Sequence, residues 1–202
     1  MTRHEAEAPL ARSIVLHVGC GEANPAKLPA DFFPAGAWQE IRLDIDPSVA
    51  PDVLSSITDM AAVADGSVDA VWSAHNVEHL YPHEVPAALA EFRRVLRPGG
   101  FALITLPDLQ QIAELVAQDG LDRPAYLSPM GPITPLDMLY GHNASLAGGN
   151  SFMGHRTGFT ARTLEAALLA AGFPIVRVMR DGRYGLWATA YTLPAETASM
   201  AA

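Results

Sequence analysis

The sequence predicts an α/β domain: a mainly parallel seven-stranded sheet covered by helices on both faces, closed at its C-terminal end by an antiparallel edge. Three observations carry this. Short apolar runs alternate with stretches whose apolar residues recur at helical spacing. The first run stops at a Gly-x-Gly turn and the second stops in acidic residues. The last two runs are separated by a tight turn only.

Taken in order, Ser13–Val18 is a short, mostly apolar run ending at a glycine, the pattern of a buried parallel strand. Gln39–Asp46 reads as a second strand ending before Pro47, and Asp52–Leu54 as a short addition. Val68–Ala74 and Phe101–Leu106 are two further clear runs. Pro86–Leu96 carries Leu89, Phe92, Val95 and Leu96 at helical spacing and stops at Arg97-Pro98-Gly99-Gly100. Ile112–Ala117 lies in a further helix. Thr160–Ala171 starts with a threonine able to cap and ends at Gly172, which accepts the left-handed closing conformation. Ile175–Met179 and Leu186–Thr192 flank the Asp181-Gly182 turn as the closing pair. Residues 107–158 break the rhythm, being rich in Gly, Pro, Asn and Met. So long a departure inside one domain of residues 1–202 is expected to be a lid or substrate insertion. Pro194–Ala202 is expected to be a frayed tail.

Half of the 202 residues are hydrophobic and 17% are charged, enough apolar material for a sizeable core. The formal net charge of −9 disfavours a nucleic-acid backbone as the main partner and leaves room only for a local basic patch. Cys20 is the single cysteine, which excludes an internal disulfide and a cysteine-based zinc cluster and fits a reducing compartment. Met1–Arg12 lacks the apolar core of a signal peptide. No apolar run approaches the roughly 20 residues of a membrane span. The expectation is a cytoplasmic protein acting on a small molecule, as a monomer or homodimer.

The informative site is His17-Val18-Gly19-Cys20-Gly21-Glu22-Ala23-Asn24. Glycines directly after a first strand let a ligand approach the backbone, and ligands of open parallel sheets sit beyond the strands' carboxyl ends. Asp44, at the end of the second strand, falls beside this turn, where a carboxylate can accept from both ribose hydroxyls. A dinucleotide fingerprint would place a third glycine at Asn24 and a regular helix next; Pro25, Pro29 and Pro34 oppose that helix. A ligand with ribose and adenine but no phosphate, such as S-adenosylmethionine, needs only the glycines and the acid.

Here the sequence resembles the class I S-adenosylmethionine-dependent methyltransferases of the type 11 group, from about Ile14 to Phe173. The resemblance rests on Leu16–Gly21 (LHVGCG), Arg42–Pro47 (RLDIDP), Ser56–Met60 (SITDM), Asp65–Leu80, Glu91–Asp108 (EFRRVLRPGGFALITLPD) and Phe159–Phe173. It implies a Rossmann-like three-layer sandwich that binds S-adenosylmethionine and releases S-adenosylhomocysteine. It further implies that Gly19 and Gly21 line the methionine part, Asp44 binds the ribose and Ile45 packs on adenine. Asp59 would accept from the adenine amino group with Met60 beside the ring, and Ala74 and His75 would face the sulfonium. His17 and Cys20 belong to the same loop. Three departures stand out: Ala23 replaces the usual third glycine, the proline-rich stretch replaces a regular first helix, and His17 stands where an acid is common.

Cys20 reads as small filler, since no step here needs a covalent intermediate. His75, His142 and His155 are the candidates for a general base or for acceptor binding. His75-Asn76-Val77-Glu78-His79 partly resembles the Glu-x-x-Glu-His metal motif of small-RNA 2′-O-methyltransferases, with His75 at the first Glu position. The expectation is that Glu78 and His79 are structural and that there is no metal site, with metal-assisted 2′-O-methylation as a lesser alternative. Overall, methyl transfer to a small-molecule or cell-envelope acceptor is expected. The rival readings are a non-catalytic cofactor-binding accessory or regulatory protein and a nucleotide-dependent oxidoreductase.

Overall fold

A computed structural model describes residues 12–195. The expectations for the first eleven residues and for the tail beyond Ala195 lie outside the described residues. Seven strands form one sheet in the order β3-β2-β1-β4-β5-β9-β8. They are β1 (Ser13–Val18), β2 (Trp38–Asp44), β3 (Val53–Leu54), β4 (Val68–Ala74), β5 (Leu96–Pro107), β8 (Ile175–Arg180) and β9 (Gly185–Tyr191). β3 through β5 pair in parallel, and β9 runs antiparallel between β5 and β8. The antiparallel strand is therefore inserted one place inside the edge, which β8 forms.

Two strand boundaries differ from the sequence reading for local reasons. β2 ends at Asp44 because Asp46 turns to cap a single 3₁₀ turn, its side chain accepting from Ser48 N–H. β5 begins at Leu96, directly after α1 (Val85–Val95), and pairs with Val68 before an irregularity lets Phe101 meet Ala70. Gly99, at φ +81°, takes the backbone through that bend.

α1 buries Val85, Ala88, Leu89, Phe92 and Val95 and carries Pro86 in its first turn, where the missing N–H costs nothing. α5 (Ala161–Ala170) buries Leu164 and Leu168, starts with a Thr160/Thr163 capping box and is followed by Gly172 at φ +90°. Both helices pack with Leu16, Val18, Val71, Ile104 and Ala188 in the main core. Arg94 of α1 anchors the loop after β3, donating to Met60 O (3.0 Å) and Val63 O (2.8 Å) while bridging Glu91 and Asp65.

Alternation along the strands sends Val15, Ala70, Trp72 and Leu103 to the opposite face. There the cover over β1, β4 and β5 departs from the expected helix layer. The proline-rich stretch makes one 3₁₀ turn, Pro25–Lys27, and drives Phe33 into the sheet. Phe33 stacks on Phe101 at 6.0 Å and meets Trp38 edge-on at 5.1 Å. Trp72 Nε1 is satisfied by Lys27 O at 2.9 Å.

The stretch expected to be an insertion is ordered. α2 (Leu109–Ala117), the hairpin β6 (Tyr126–Ser128) and β7 (Gly131–Ile133), α3 (Pro135–Tyr140) and α4 (Asn143–Ala147) follow one another. Ile112, Ile133 and Met138 form its own small core, with Tyr184 from the β8–β9 turn packed against them. Its two ends are tied together: Asp108 bridges Phe159 in parallel, and Leu109 N–H donates to Phe159 O at 2.8 Å. Asp108, fully buried, caps α2 through Gln110 N–H and pairs with Arg180 Nε at 2.9 Å.

Candidate functional site

The carboxyl ends of β1, β2 and β4 open onto a cleft of ≈ 250 Å³. Gly19, Gly21, Asp44, Ile45 and the Ser55–Ile57 loop line it from the first half of the sheet. His75, Asn76 and His79 line it from the loop after β4, and Asn150, Phe152, Met153 and Arg156 from the end of the insertion.

Gly19 and Gly21 sit at φ +62° and +57°. A Cβ on Gly19 would lie 2.6 Å from Asn76 Cγ, so close approach as well as conformation requires glycine there. The turn's carbonyls are held by cations. Lys27 Nζ donates to Cys20 O (2.8 Å) and Glu22 O (2.9 Å), and Arg42 donates to Gly21 O and to Val49 O (2.9 Å). Asp44 links the turn to the end of β2: Oδ2 accepts from Gly21 N–H at 2.7 Å and Oδ1 from Asp46 N–H at 2.9 Å. A carboxylate oxygen carries two lone pairs, so one on each side remains for a ligand. Asn76 Nδ2 is a buried donor without a protein partner.

His75 holds a left-handed backbone at φ +48°, its N–H bound to Thr105 O at 2.9 Å. Its Nδ1 lies 3.2 Å from Glu78 Oε1, while 60% of its side-chain surface stays accessible. Desolvation works to lower the imidazole pKa, but the hydrogen bond to Glu78 and that residue's charge outweigh it and raise the net value. Glu78 is 1% exposed, and burial alone would raise its pKa. His75, His79 and His155 reverse that and hold the carboxyl below its ordinary value. Glu78 Oε2 has no partner. His155 donates from Nδ1 to Met138 O at 2.9 Å, and burial lowers its pKa. The backbone around Glu78 is fastened to the insertion: Arg156 N–H donates to Glu78 O at 2.8 Å and Thr157 N–H at 3.2 Å.

Residues 16–104, from β1 through most of β5, match a family model described as a methyltransferase domain, of the type 11 group. Over that span, somewhat less than half of its length, the chain is similar to a methyltransferase domain. Solved structures share the fold. A S-adenosylmethionine-dependent methyltransferase from Archaeoglobus fulgidus is 15% identical, with a TM-score of 0.56 over 90% of this chain and 86% of that one. Another from Methanosarcina mazei is 16% identical, with a TM-score of 0.58 over 91% and 93%. The 1,6-didemethyltoxoflavin-N1-methyltransferase of Burkholderia thailandensis, solved with 1,6-didemethyltoxoflavin and S-adenosylhomocysteine, is 16% identical, with a TM-score of 0.54 over 90% and 72%. No curated protein matches the chain.

The cleft fits S-adenosylmethionine in three respects: the glycine turn a Cβ would fill, the remaining Asp44 lone pairs, and the orphan Asn76 donor. Of the residues expected at the cofactor, Gly19, Gly21, Asp44, Ile45 and His75 line the cleft. The others do not. His17 points to the opposite face, where its Nδ1 binds Glu40 at 2.6 Å and its ring lies 6.4 Å from Trp72; burial lowers its pKa against the pull of Glu40. Strand alternation sends it there with Val15. Cys20 is buried filler whose thiol pKa burial raises. Ala74 packs against the aromatic core. Met60 is fully buried in the main core with its N–H on Glu91 (2.6 Å), and Asp59 is an exposed turn residue whose N–H donates to Ser56 O. In their place Ser55, Ser56 and Ile57 face the cleft.

Among the histidines, His75 lines the cleft and His155 lies behind it against Glu78. His142 is spent on Ser145 Oγ (2.8 Å) at the start of α4 and is not brought to the site. His79 and Asn76 join the cleft without having been singled out for it. A close partner for Asn76 was implicit in the neighbouring glycine turn, whereas Arg156 and Phe152 carried no signal at all.

Proposed function

We propose that this protein transfers the methyl group of S-adenosylmethionine to a small-molecule acceptor, and that residues 107–158 act as the lid that selects it. The observation that carries this reading is the composition of the cleft. One wall belongs to the glycine turn and Asp44, the other to Phe152, Met153 and Arg156 from the insertion. A ligand seated on the first wall presents its far end to the second. A neighbour in fold that holds a small heterocyclic acceptor beside S-adenosylhomocysteine supports a small molecule over a macromolecule. The acidic net charge supports the same choice against nucleic acid.

S-adenosylmethionine supplies an electrophilic methyl carbon on a sulfonium. The residues supply orientation and dryness: Asp44 receives the ribose hydroxyls, Asn76 Nδ2 donates to the ligand, and Phe152 and Met153 exclude water from the line of attack. His75 is placed to take the acceptor's proton. Its Nδ1–H donates to Glu78 Oε1, which leaves Nε2 as the open acceptor, and Glu78 stabilises the imidazolium that forms. His142 has no role in this scheme.

The test is production of S-adenosylhomocysteine from S-adenosylmethionine against a panel of small hydroxyl and amine acceptors, with His75→Ala alongside wild type. Turnover with one acceptor class, reduced at least tenfold in His75→Ala at unchanged S-adenosylhomocysteine affinity, supports the reading. Turnover with RNA or protein acceptors alone overturns the small-molecule assignment. Equal turnover by His75→Ala overturns the base.

A further inference from the structure

We propose that Glu78, His79 and His155 form a binding site for a divalent transition-metal ion. Seventy-five residues lie between His79 and His155 in the chain, yet one donor atom from each of the three residues lies within 4.8 Å of the others. The two rings stand edge to face with centroids 5.0 Å apart. A tetrahedral ion with bonds of about 2.0–2.1 Å holds its ligands roughly 3.3 Å apart, so the donors need draw in by about 1 Å or somewhat more.

Three features point to an ion rather than to packing. Glu78 is 1% exposed and its Oε2 has no hydrogen-bond partner, a buried carboxylate oxygen whose lone pairs are unused. His155 fixes its Nδ1–H on Met138 O, which leaves Nε2 as a lone-pair donor; metal-bound histidines are commonly oriented in this way. His79 has carbonyl oxygens at both nitrogens, Gly154 O at 3.1 Å and His75 O at 3.0 Å. A neutral imidazole has one N–H, so it satisfies one carbonyl and turns a lone pair on the other. To bind an ion, His79 must release one of these two carbonyls from its nitrogen. A cavity of ≈ 20 Å³, the size of a single water, adjoins Glu78 and His155; the rest of its lining is mostly apolar, and His79 faces the larger cleft instead.

Two imidazoles with one carboxylate suit Zn²⁺, Co²⁺, Mn²⁺ or Fe²⁺ and disfavour Mg²⁺ and Ca²⁺, which prefer all-oxygen shells. His75, through its bond to Glu78 Oε1, orients the carboxylate and leaves Oε2 for the ion. The site shares Glu78 with the proposed base and His79 with the cleft, so metal uptake is read without an acceptor, and its failure is distinguishable from failure of methyl transfer.

The test uses the full chain after chelation and dialysis. Co²⁺ is titrated with visible absorption as the readout and Zn²⁺ by calorimetry, with Mg²⁺ as the contrast and S-adenosylhomocysteine binding as the check on folding. Wild type is expected to take up one equivalent of Co²⁺ and of Zn²⁺, with a Co²⁺ spectrum of nitrogen and oxygen ligation and no saturable Mg²⁺ binding. His155→Ala and Glu78→Gln are each expected to weaken Co²⁺ and Zn²⁺ at least tenfold. His155, only partly buried, keeps the test decisive where Glu78→Gln fails to fold. Absence of one-equivalent binding in wild type, or affinity unchanged in His155→Ala, overturns the site and leaves a histidine–carboxylate packing network.

Discussion

Replacing Asp44 separates the job the structure gives its carboxylate, holding the glycine turn, from the ribose binding proposed for it. It is 9% exposed and accepts from Gly21 N–H and Asp46 N–H, both bonds to a charged acceptor. Hydrogen bonds to charged groups contribute about 1.5–3 kcal/mol each, and these two lie at the cleft edge where water replaces part of the loss. Asp44→Ala should therefore lower stability by about 1–3 kcal/mol. In the complex it also removes the acceptor for two ribose hydroxyls, another ~2–4 kcal/mol, or roughly 30- to 1000-fold in affinity at 1.4 kcal/mol per decade. Asp44→Asn keeps the size but offers one amide N–H₂ where an N–H donor already points, so it should lose affinity with less cavity effect. Calorimetry with S-adenosylhomocysteine and thermal melts on both variants separate the two contributions. If both variants bind within twofold of wild type, the carboxylate does not hold the ligand and the assignment fails.

Other expectations address the scaffold. Phe92→Ala, at a fully buried position under α1, should cost about 3–5 kcal/mol in chemical denaturation. Gly141 sits at φ +99°, and a Cβ there runs into the carbonyl of Met153. Gly141→Ala should thus destabilise the insertion by about 2 kcal/mol or more, read as faster hydrogen exchange from α3 to Met153. Asp137 titrates at about 2: burial pushes its pKa up, but bonds from the Thr134 hydroxyl and backbone and from Asn143 pull it lower. Its folded value lies below its unfolded one, so its contribution, about 1–2 kcal/mol after allowance for solvent, is complete above pH ~4 and lost as pH falls toward 2. Asp137→Asn should erase that part of the acid dependence of insertion exchange.

The parts of the molecule read correctly from sequence are those where local rules and tertiary packing agree. The first strand, its glycine turn and the α5 cap obey period, conformation and capping rules that act within a few residues. Asp44 and Ile45, at the end of β2, line the cleft as the sequence led one to expect. Asp59 and Met60 do not line it, because the turn after β3 brings Ser55–Ile57 to the cleft and sends Met60 to the core under Glu91. His17 lies within β1, where alternation turns it with Val15 to the opposite face, away from the glycine turn that follows. The grouping of Glu78, His79 and His155 depends on a backbone bond between Arg156 and Glu78, a contact 78 residues long that no periodicity announces.

Because Asp108 and Phe159 meet as neighbours, the chain leaves the sheet and returns to it at nearly the same point. The first part of that excursion has a small core of its own, Ile112, Ile133 and Met138, while its end faces the cleft through Phe152, Met153 and Arg156. Changes around the small core can accumulate without disturbing strand registry. On the proposed function, new acceptors would be acquired by rewriting one contiguous segment. A chimera that exchanges residues 109–158 between relatives would carry acceptor preference with the segment and leave cofactor affinity behind with the sheet.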